Sequence, residues 1–361
     1  MADNSTRPLV SFIITFYNEP TSMLRECIES VHMLSLSAQG REIILINDGA
    51  DNDCLLALSD IKDSIIYIRQ ANRGLSEARN LGMRVATGKY IQFIDADDYV
   101  EHDYLANLYR GAEFDLSISG FCYGNTPECS SFHIELANRE TMGRELSKLI
   151  NADQLCYPWG RLFKRSIIET YHIRFDEAMR FAEDNVFNWE YLCHAESLYI
   201  DATHKDYHKS SDGDGPGYCL SFEEMNYVDG RLFELSTKLE QHYRNPINLE
   251  TKQLMHVLFL KDMLQFPASG WYEYYKKYHP HGKEKEGYDF IMSSIYYMSL
   301  VNLSKTKDKS KQRQILSRID KFIDKPFTML VNSSVKTRFL LPIIKMGCNG
   351  MVVRLINSLV K

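Results

Sequence analysis

The chain has no HExxH segment, no CxxC pair and no closely spaced Cys/His set, which excludes the usual zinc sites. Its eight cysteines are scattered singly from Cys27 to Cys348, a usage expected of free thiols in a reducing compartment rather than of a disulfide framework. It also lacks a domain-wide basic excess. A net charge of −6 argues against general nucleic-acid binding. The opening residues Met1-Ala2-Asp3-Asn4-Ser5 are polar and contain no apolar signal core, so the expectation is a cytoplasmic protein. With 361 residues, 44% of them hydrophobic, the chain is long enough for one large domain and a smaller one.

What is present is a repeated rhythm. Four times before residue 100, a short apolar run ends in a polar cluster. The runs at 10–15, 42–46, 65–69 and 90–94 are nearly continuous in Val, Ile, Leu and Phe, the pattern of strands buried on both faces. Leu24, Cys27, Ile28, Val31 and Leu34 fall at helical spacing between the first two, and Leu75, Ala78, Gly82 and Val85 between the last two. Alternating strand and helix imply an α/β fold with a mostly parallel sheet and right-handed crossovers. Such sheets bind ligands beyond the carboxyl ends of their strands. Those ends carry Thr15-Phe16-Tyr17-Asn18-Glu19, Asn47-Asp48-Gly49, Asn72-Arg73-Gly74 and Asp95-Ala96-Asp97-Asp98, enough polar groups on one rim for a nucleotide-sized site.

The three carboxylates of the last cluster repel one another. They persist if solvated, used as a helix cap, or bridged by a cation such as Mg²⁺ or Mn²⁺. Asp98 also reads as a capping-box residue, with Glu101 three positions on and Tyr104, Leu105 and Leu108 beyond. Asp48 can accept a hydrogen bond from the ring N–H of uracil, or serve as the turn residue of Asp-Gly. Glu19 precedes Pro20 and is therefore extended, within reach of a ribose hydroxyl or of Arg79. Arg79 lies one turn after Leu75 and can point toward base or phosphates. Asn72 and Gly74 form the approach to that helix, whose N-terminus favours a diphosphate.

Further along, strands are expected at 114–121 and 132–136 and a helix at 142–150. Tyr157-Pro158-Trp159-Gly160-Arg161 follows. Trp beside Gly offers an aromatic face for a sugar, or alternatively a core residue. Phe181-Ala182-Glu183-Asp184 opens another helix. Neighbours on a helix project about 100° apart, so at most one of the two acids aims into a cleft; the alternative is a pair favoured by the helix dipole. Tyr207-His208-Lys209 leads into the glycine-rich stretch 212–217, which predicts a loop. From residue 221 the pattern is mostly helical. The last stretch, 331–361, has Lys336, Arg338, Lys345, Arg354 and Lys361 among short apolar runs and no acid. Runs this short cannot span a bilayer; they suit an anionic membrane interface, or packing on the chain's own domain or a second subunit.

The blocks Val10 to Glu19, Ile46-Asn47-Asp48-Gly49, Asn72-Arg73-Gly74-Leu75-Ser76-Glu77-Ala78-Arg79-Asn80 and Ile94-Asp95-Ala96-Asp97-Asp98 together resemble the family 2 glycosyltransferases of the GT-A fold. The resemblance is strong over 7–105 and fair to about residue 225. One departure is Ala50-Asp51-Asn52-Asp53, where the family has Ser-Thr-Asp after Asp-Gly. The resemblance implies a GT-A domain over 1–220, with a nucleotide-binding half at 1–110 and an acceptor half at 111–220, then a helical region over 221–361. It implies an inverting, metal-dependent enzyme that moves a sugar from a nucleoside diphosphate, expected to be UDP, to a saccharide or lipid-linked glycan hydroxyl in bacterial surface polysaccharide assembly. Thr15, Tyr17, Glu19, Asp48, Asn72, Gly74, Arg79 and Asp95 would line the donor. Asp97 would ligate Mn²⁺ or Mg²⁺, with Asp98 and His208 as further ligands. Trp159 and Gly160 would face the acceptor, and Asp184 would be the general base with Glu183 supporting it. The setting would be cytoplasmic or peripheral on the inner membrane face, with oligomerisation open. A donor-binding scaffold without activity is the non-enzymatic alternative. A sugar-nucleotide pyrophosphorylase would need a glycine-rich basic loop after the first strand, and residues 15–19 contain neither Gly nor Lys.

Overall fold

In a computed structural model of the protein, the apolar run Val10–Phe16 forms β1, buried at every position. The structure describes residues 7–50, 58–109, 113–123, 133–136, 139–151, 155–210 and 222–245. The loop at 212–217 and the basic tail at 331–361 lie outside them. Apart from 222–229, the described residues belong to one compact unit.

The strands are β1, β2 (Arg41–Asn47), β3 (Ile66–Arg69), β4 (Tyr90–Asp95), β5 (Tyr99–Val100), β6 (Leu116–Ser119), β7 (Phe121–Tyr123), β8 (His133–Leu136), β9 (Arg161–Lys164), β10 (Leu198–Asp201) and β11 (Tyr207–Lys209). The main sheet has the order β3-β2-β1-β4-β9-β6-β10-β8, and β5-β11-β7 form a small second sheet. β1 pairs in parallel with β2 on one side and β4 on the other. The chain thus winds outward to β3 and returns to the far side of β1, which opens a crevice at the carboxyl ends of these strands. Register sets the rim: Thr15 lies opposite Asp95, and Phe16 opposite Asn47.

Two expectations about these strands change. β3 is an edge strand, with Ile66 39% exposed, so burial on both faces holds for β1, β2 and β4 but not for it. The span expected at 114–121 is broken, because the chain leaves the main sheet after β6 and joins the small sheet as β7. An unforeseen strand, β9, runs antiparallel between β4 and β6. Only four residues long, it gives no readable alternation, yet it draws Trp159 against Phe93 beside the end of β4.

Helix α1 (Thr21–His32) buries Leu24, Cys27, Ile28 and Val31, as its spacing predicts. Helix α2 (Leu75–Val85) lies so close to β1 that a Cβ on Gly82 would meet Ile13 Cγ2 at 2.4 Å. Its expected apolar stripe is only partly right: Leu75 is 43% exposed, while Ser76, Glu77, Arg79 and Asn80 are buried. Helices α3 (Tyr104–Tyr109), α4 (Arg139–Asn151), α5 (Arg165–Thr170), α6 (Glu183–Leu192) and α7 (Phe222–Tyr243) complete the described elements. Among the described residues, no helix is long and apolar enough to cross a membrane.

Candidate active site

The rim is built from strand tips. At the end of β2, Asp48 is buried and accepts from Gln70 Nε2 at 2.8 Å, the Arg73 N–H at 2.9 Å and the Gly74 N–H at 2.9 Å. Asn72 also accepts from the Gly74 N–H, at 3.2 Å. Asp48 thus shapes the loop leading into α2. Gly49 has φ +87°, and a Cβ there would stand 2.6 Å from the Asn72 nitrogen, so only glycine lets the two tips approach this closely. Thr15 is buried behind them, and Tyr17 is exposed on the loop after β1. Glu19 does not turn toward Arg79. Its carboxylate accepts the Tyr17 and Asn18 N–H groups at 2.7 and 3.0 Å.

At the tip of β4, Asp95, Asp97 and Asp98 offer oxygens that all lie within 4.8 Å of one another. Asp98 caps no helix: β5 follows at once, and α3 starts only at Tyr104. Its buried carboxylate accepts from Tyr207 Oη at 2.7 Å and from the Ser210 N–H at 2.9 Å. Burial, then the charge of Asp95, pushes its pKa up to about 7. Asp95 is held below the usual carboxylate range: burial opposes this, but Lys209 and Arg79 outweigh it.

His208 stands apart from these acids. It stacks on Tyr99 at 4.3 Å between centroids, with Nδ1 3.1 Å from Cys122 Sγ and Nε2 2.8 Å from Glu101. On a strand, successive side chains face opposite ways, so Tyr207 and Lys209 turn toward the acids and His208 away. Lys209, to which sequence reasoning gave no role, places Nζ 2.9 Å from Asp95 and 3.1 Å from Asp98.

The acids of α6 reach the same place through Arg79. Its guanidinium bonds Asp95 at 3.1 Å and lies 3.7 Å from Glu183. Asn80 fixes the approach by a two-way clasp on Phe175: its Nδ2 donates to the Phe175 carbonyl and its Oδ1 accepts the Phe175 N–H, both at 2.9 Å. Phe175 then stacks on Phe187 of α6 at 4.1 Å and lies under Arg79. Ala182 enters α6 with φ +59°, a left-handed residue that costs energy unless its surroundings hold it. Asp184 is half-buried, and one of its oxygens accepts the Asn185 N–H at 2.9 Å. Burial first, then the charge of Glu183, raises its pKa to about 7.

Trp159 presents no open face. It is 4% exposed and sandwiched between Tyr157 and Tyr207, at 4.6 and 4.9 Å between centroids. The core-packing alternative is therefore the correct one for this ring. Gly160 has φ +67° and connects the stacked Trp to β9. Asn188 was also missed; it donates to the Leu155 and Tyr157 carbonyls at 3.2 and 3.0 Å. Asn80 closes the 72–80 block of the resemblance but has no role assigned from it, and Asn188 carries no sequence signal beyond being polar within a helix.

Residues 11–171 match the family model described as glycosyl transferase family 2. The chain is 38% identical over 203 residues to the uncharacterized glycosyltransferase EpsJ of Bacillus subtilis, covering 53% of this chain and 58% of EpsJ. It is 26% identical over 244 residues to the poly(ribitol-phosphate) beta-glucosyltransferase of Bacillus spizizenii, covering 64% of this chain and 37% of that protein. The chain thus spans only part of these relatives. Among solved structures, S. aureus TarS 1–349 in complex with UDP-GlcNAc superposes with a TM-score of 0.54 at 17% identity, covering 86% of this chain and 91% of that one. At that identity the likeness is one of fold.

Proposed function

We propose that the protein, whose residues 11–171 match the glycosyl transferase family 2 model and whose fold is like that of TarS, transfers a sugar, with inversion, from a nucleoside diphosphate to a saccharide or lipid-linked hydroxyl. The observation that carries this reading is the Arg79 bridge, which joins the acids ending β4 to the acids opening α6. Such a bridge would set a donor site and a base site side by side.

Inversion requires the acceptor oxygen to attack the anomeric carbon from the side opposite the departing diphosphate, losing its proton as it does so. Asp184 takes that proton. One of its oxygens is held by the Asn185 N–H, and a carboxyl near pKa 7 is well matched to general-base work at neutral pH. Glu183, tethered by Arg79, fixes the turn from which Asp184 projects. Trp159 acts on the acceptor side only indirectly, by supporting the floor of the cleft.

Three hard carboxylate oxygen donors gathered within 4.8 Å fit a divalent cation such as Mn²⁺ or Mg²⁺. Asp95, Asp97 and Asp98 would hold it. When bound, the ion supplies positive charge against the diphosphate leaving group.

Asp48 uses its carboxylate on three protein donors and retains acceptor capacity for one more, which suits the ring N–H of uracil. That property, and the UDP-sugar complex of TarS, support UDP as the nucleotide. Residues 1–220 would be the transfer domain, and the basic, acid-free tail at 331–361 would suit an acceptor carried on an anionic membrane.

The test is a thermal-shift screen of UDP- and GDP-sugars with and without Mn²⁺. A donor at a hundredfold excess over its Kd should stabilise the fold by about 2.7 kcal/mol. No shift with any nucleotide sugar, with or without Mn²⁺, would overturn the reading.

A further inference from the structure

The acid cluster already contains a cation. Lys209 Nζ lies 2.9 Å from Asp95, 3.1 Å from Asp98 and 3.9 Å from Asp97, the same three carboxylates whose oxygens converge for a metal. Its placement is built in. Pairing of Tyr207 with Val100 and of His208 with Tyr99 fixes the strand, the Ser210 N–H binds Asp98 just beyond it, and the ammonium sits 5.8 Å from the centre of the buried Trp159 ring. A divalent ion on these oxygens would stand within a few ångströms of that ammonium, and like charges this close in a partly desolvated site repel strongly.

We infer that Lys209 is an internal competitor for the divalent cation: ammonium and metal exclude each other from Asp95, Asp97 and Asp98, so the lysine sets how tightly the metal binds. The inference rests on the proposed metal-assisted reading. In the metal-free protein, Lys209 offsets the charge of three close carboxylates, of which Asp95 also has Arg79. Its departure is a cost that every metal ion must meet, and this lowers the apparent affinity by the fraction of molecules with the lysine withdrawn.

The test is direct Mn²⁺ binding to the full chain, read from the paramagnetic resonance of free Mn²⁺, for wild type, Lys209→Met and Lys209→Arg. Lys209→Met should bind Mn²⁺ about tenfold more tightly or better, as expected when a competing state is removed, whereas Lys209→Arg should stay near wild type. Equal or weaker binding by Lys209→Met, or no binding by either protein, would overturn the inference. Adding Asp97→Asn to each background separates the two ideas. If it weakens Mn²⁺ in both but Lys209→Met is no tighter than wild type, only the competition fails. If it changes nothing, the ion sits elsewhere and the metal reading fails as well. Should Lys209→Met not fold, acylation of Lys209 in the wild type, followed by peptide mass spectrometry, decides. Labelling should rise several-fold on adding Mn²⁺, and labelling unchanged by Mn²⁺ would overturn the proposal.

Discussion

Arg79 donates from Nη2 to Asp95 Oδ1 at 3.1 Å, from a guanidinium whose residue is only 4% exposed. The same group lies 3.7 Å from Glu183, so one side chain on α2 joins a strand tip to a helix opening far along the chain. Its Nη1 is buried and makes no hydrogen bond among the described residues, where Glu183 lies 3.7 Å from it.

Removal of that cation should therefore be costly. Arg79→Met leaves Asp95 with Lys209 alone and takes the Arg79 charge from Glu183, and a broken buried pair of this kind costs about 3 to 5 kcal/mol. Urea denaturation measures it. A loss below about 1 kcal/mol, the range of exposed pairs, would mean that water already screens the bridge.

Trp159 should behave as a core residue. Trp159→Ala should cost about 3 to 5 kcal/mol of stability, while Trp159→Phe should fold and keep the acceptor KM within a factor of a few. A stable Trp159→Phe with a greatly raised acceptor KM would instead restore the ring as a sugar platform.

The first half of the fold was legible because its strands are long, apolar and separated by well-marked helices. β1, β2 and β4 fall within a residue or two of their expected ends, and the polar tips follow from them. Failures came where side-chain direction, not residue type, decides. Lys209 and His208 are adjacent and both basic, and only the two-residue period of β11 says which one meets the acids. Trp159 next to a glycine looks exposed in sequence, but β9 folds it inward, and a four-residue strand is too short to announce itself. Asp98 carried a capping-box pattern, yet Tyr99 and Val100 pair with β11 and delay the helix to Tyr104.

Asp97 is the most exposed member of the acid cluster and lies farthest from the Lys209 ammonium, at 3.9 Å. Asp97→Asn should therefore fold normally and lose the Mn²⁺-dependent part of UDP binding. Titration calorimetry with and without Mn²⁺ checks this, and an undiminished Mn²⁺ effect in the variant would remove Asp97 from the donor site.

The pKa of Asp184 sets a pH limb. With the carboxyl near 7, the base is protonated and idle below that value, so transfer kcat/KM should fall about tenfold per unit as pH drops below about 7 and level off above it. The same shift has a stability consequence. Because the folded pKa exceeds the unfolded value of 3.8, the folded state retains a proton that the unfolded chain releases. This contribution is full below pH 3.8, is lost as pH rises toward 7 and is absent above it. Asp98, also raised to about 7, adds to the same slope, so Asp184→Asn should lessen the slope in pH-dependent denaturation without abolishing it; an unchanged slope would assign it to Asp98 or another group.

The most direct measurement is transfer to acceptor by Asp184→Asn and Glu183→Gln, run beside UDP titration of both. Asp184→Asn keeps the shape but cannot take the proton, so transfer should fall by about 10² to 10⁴ while UDP affinity stays within about twofold, 0.4 kcal/mol. Glu183→Gln should lose less. Near-normal transfer by Asp184→Asn, or a loss of UDP binding that matches its loss of transfer, would contradict Asp184 as the base.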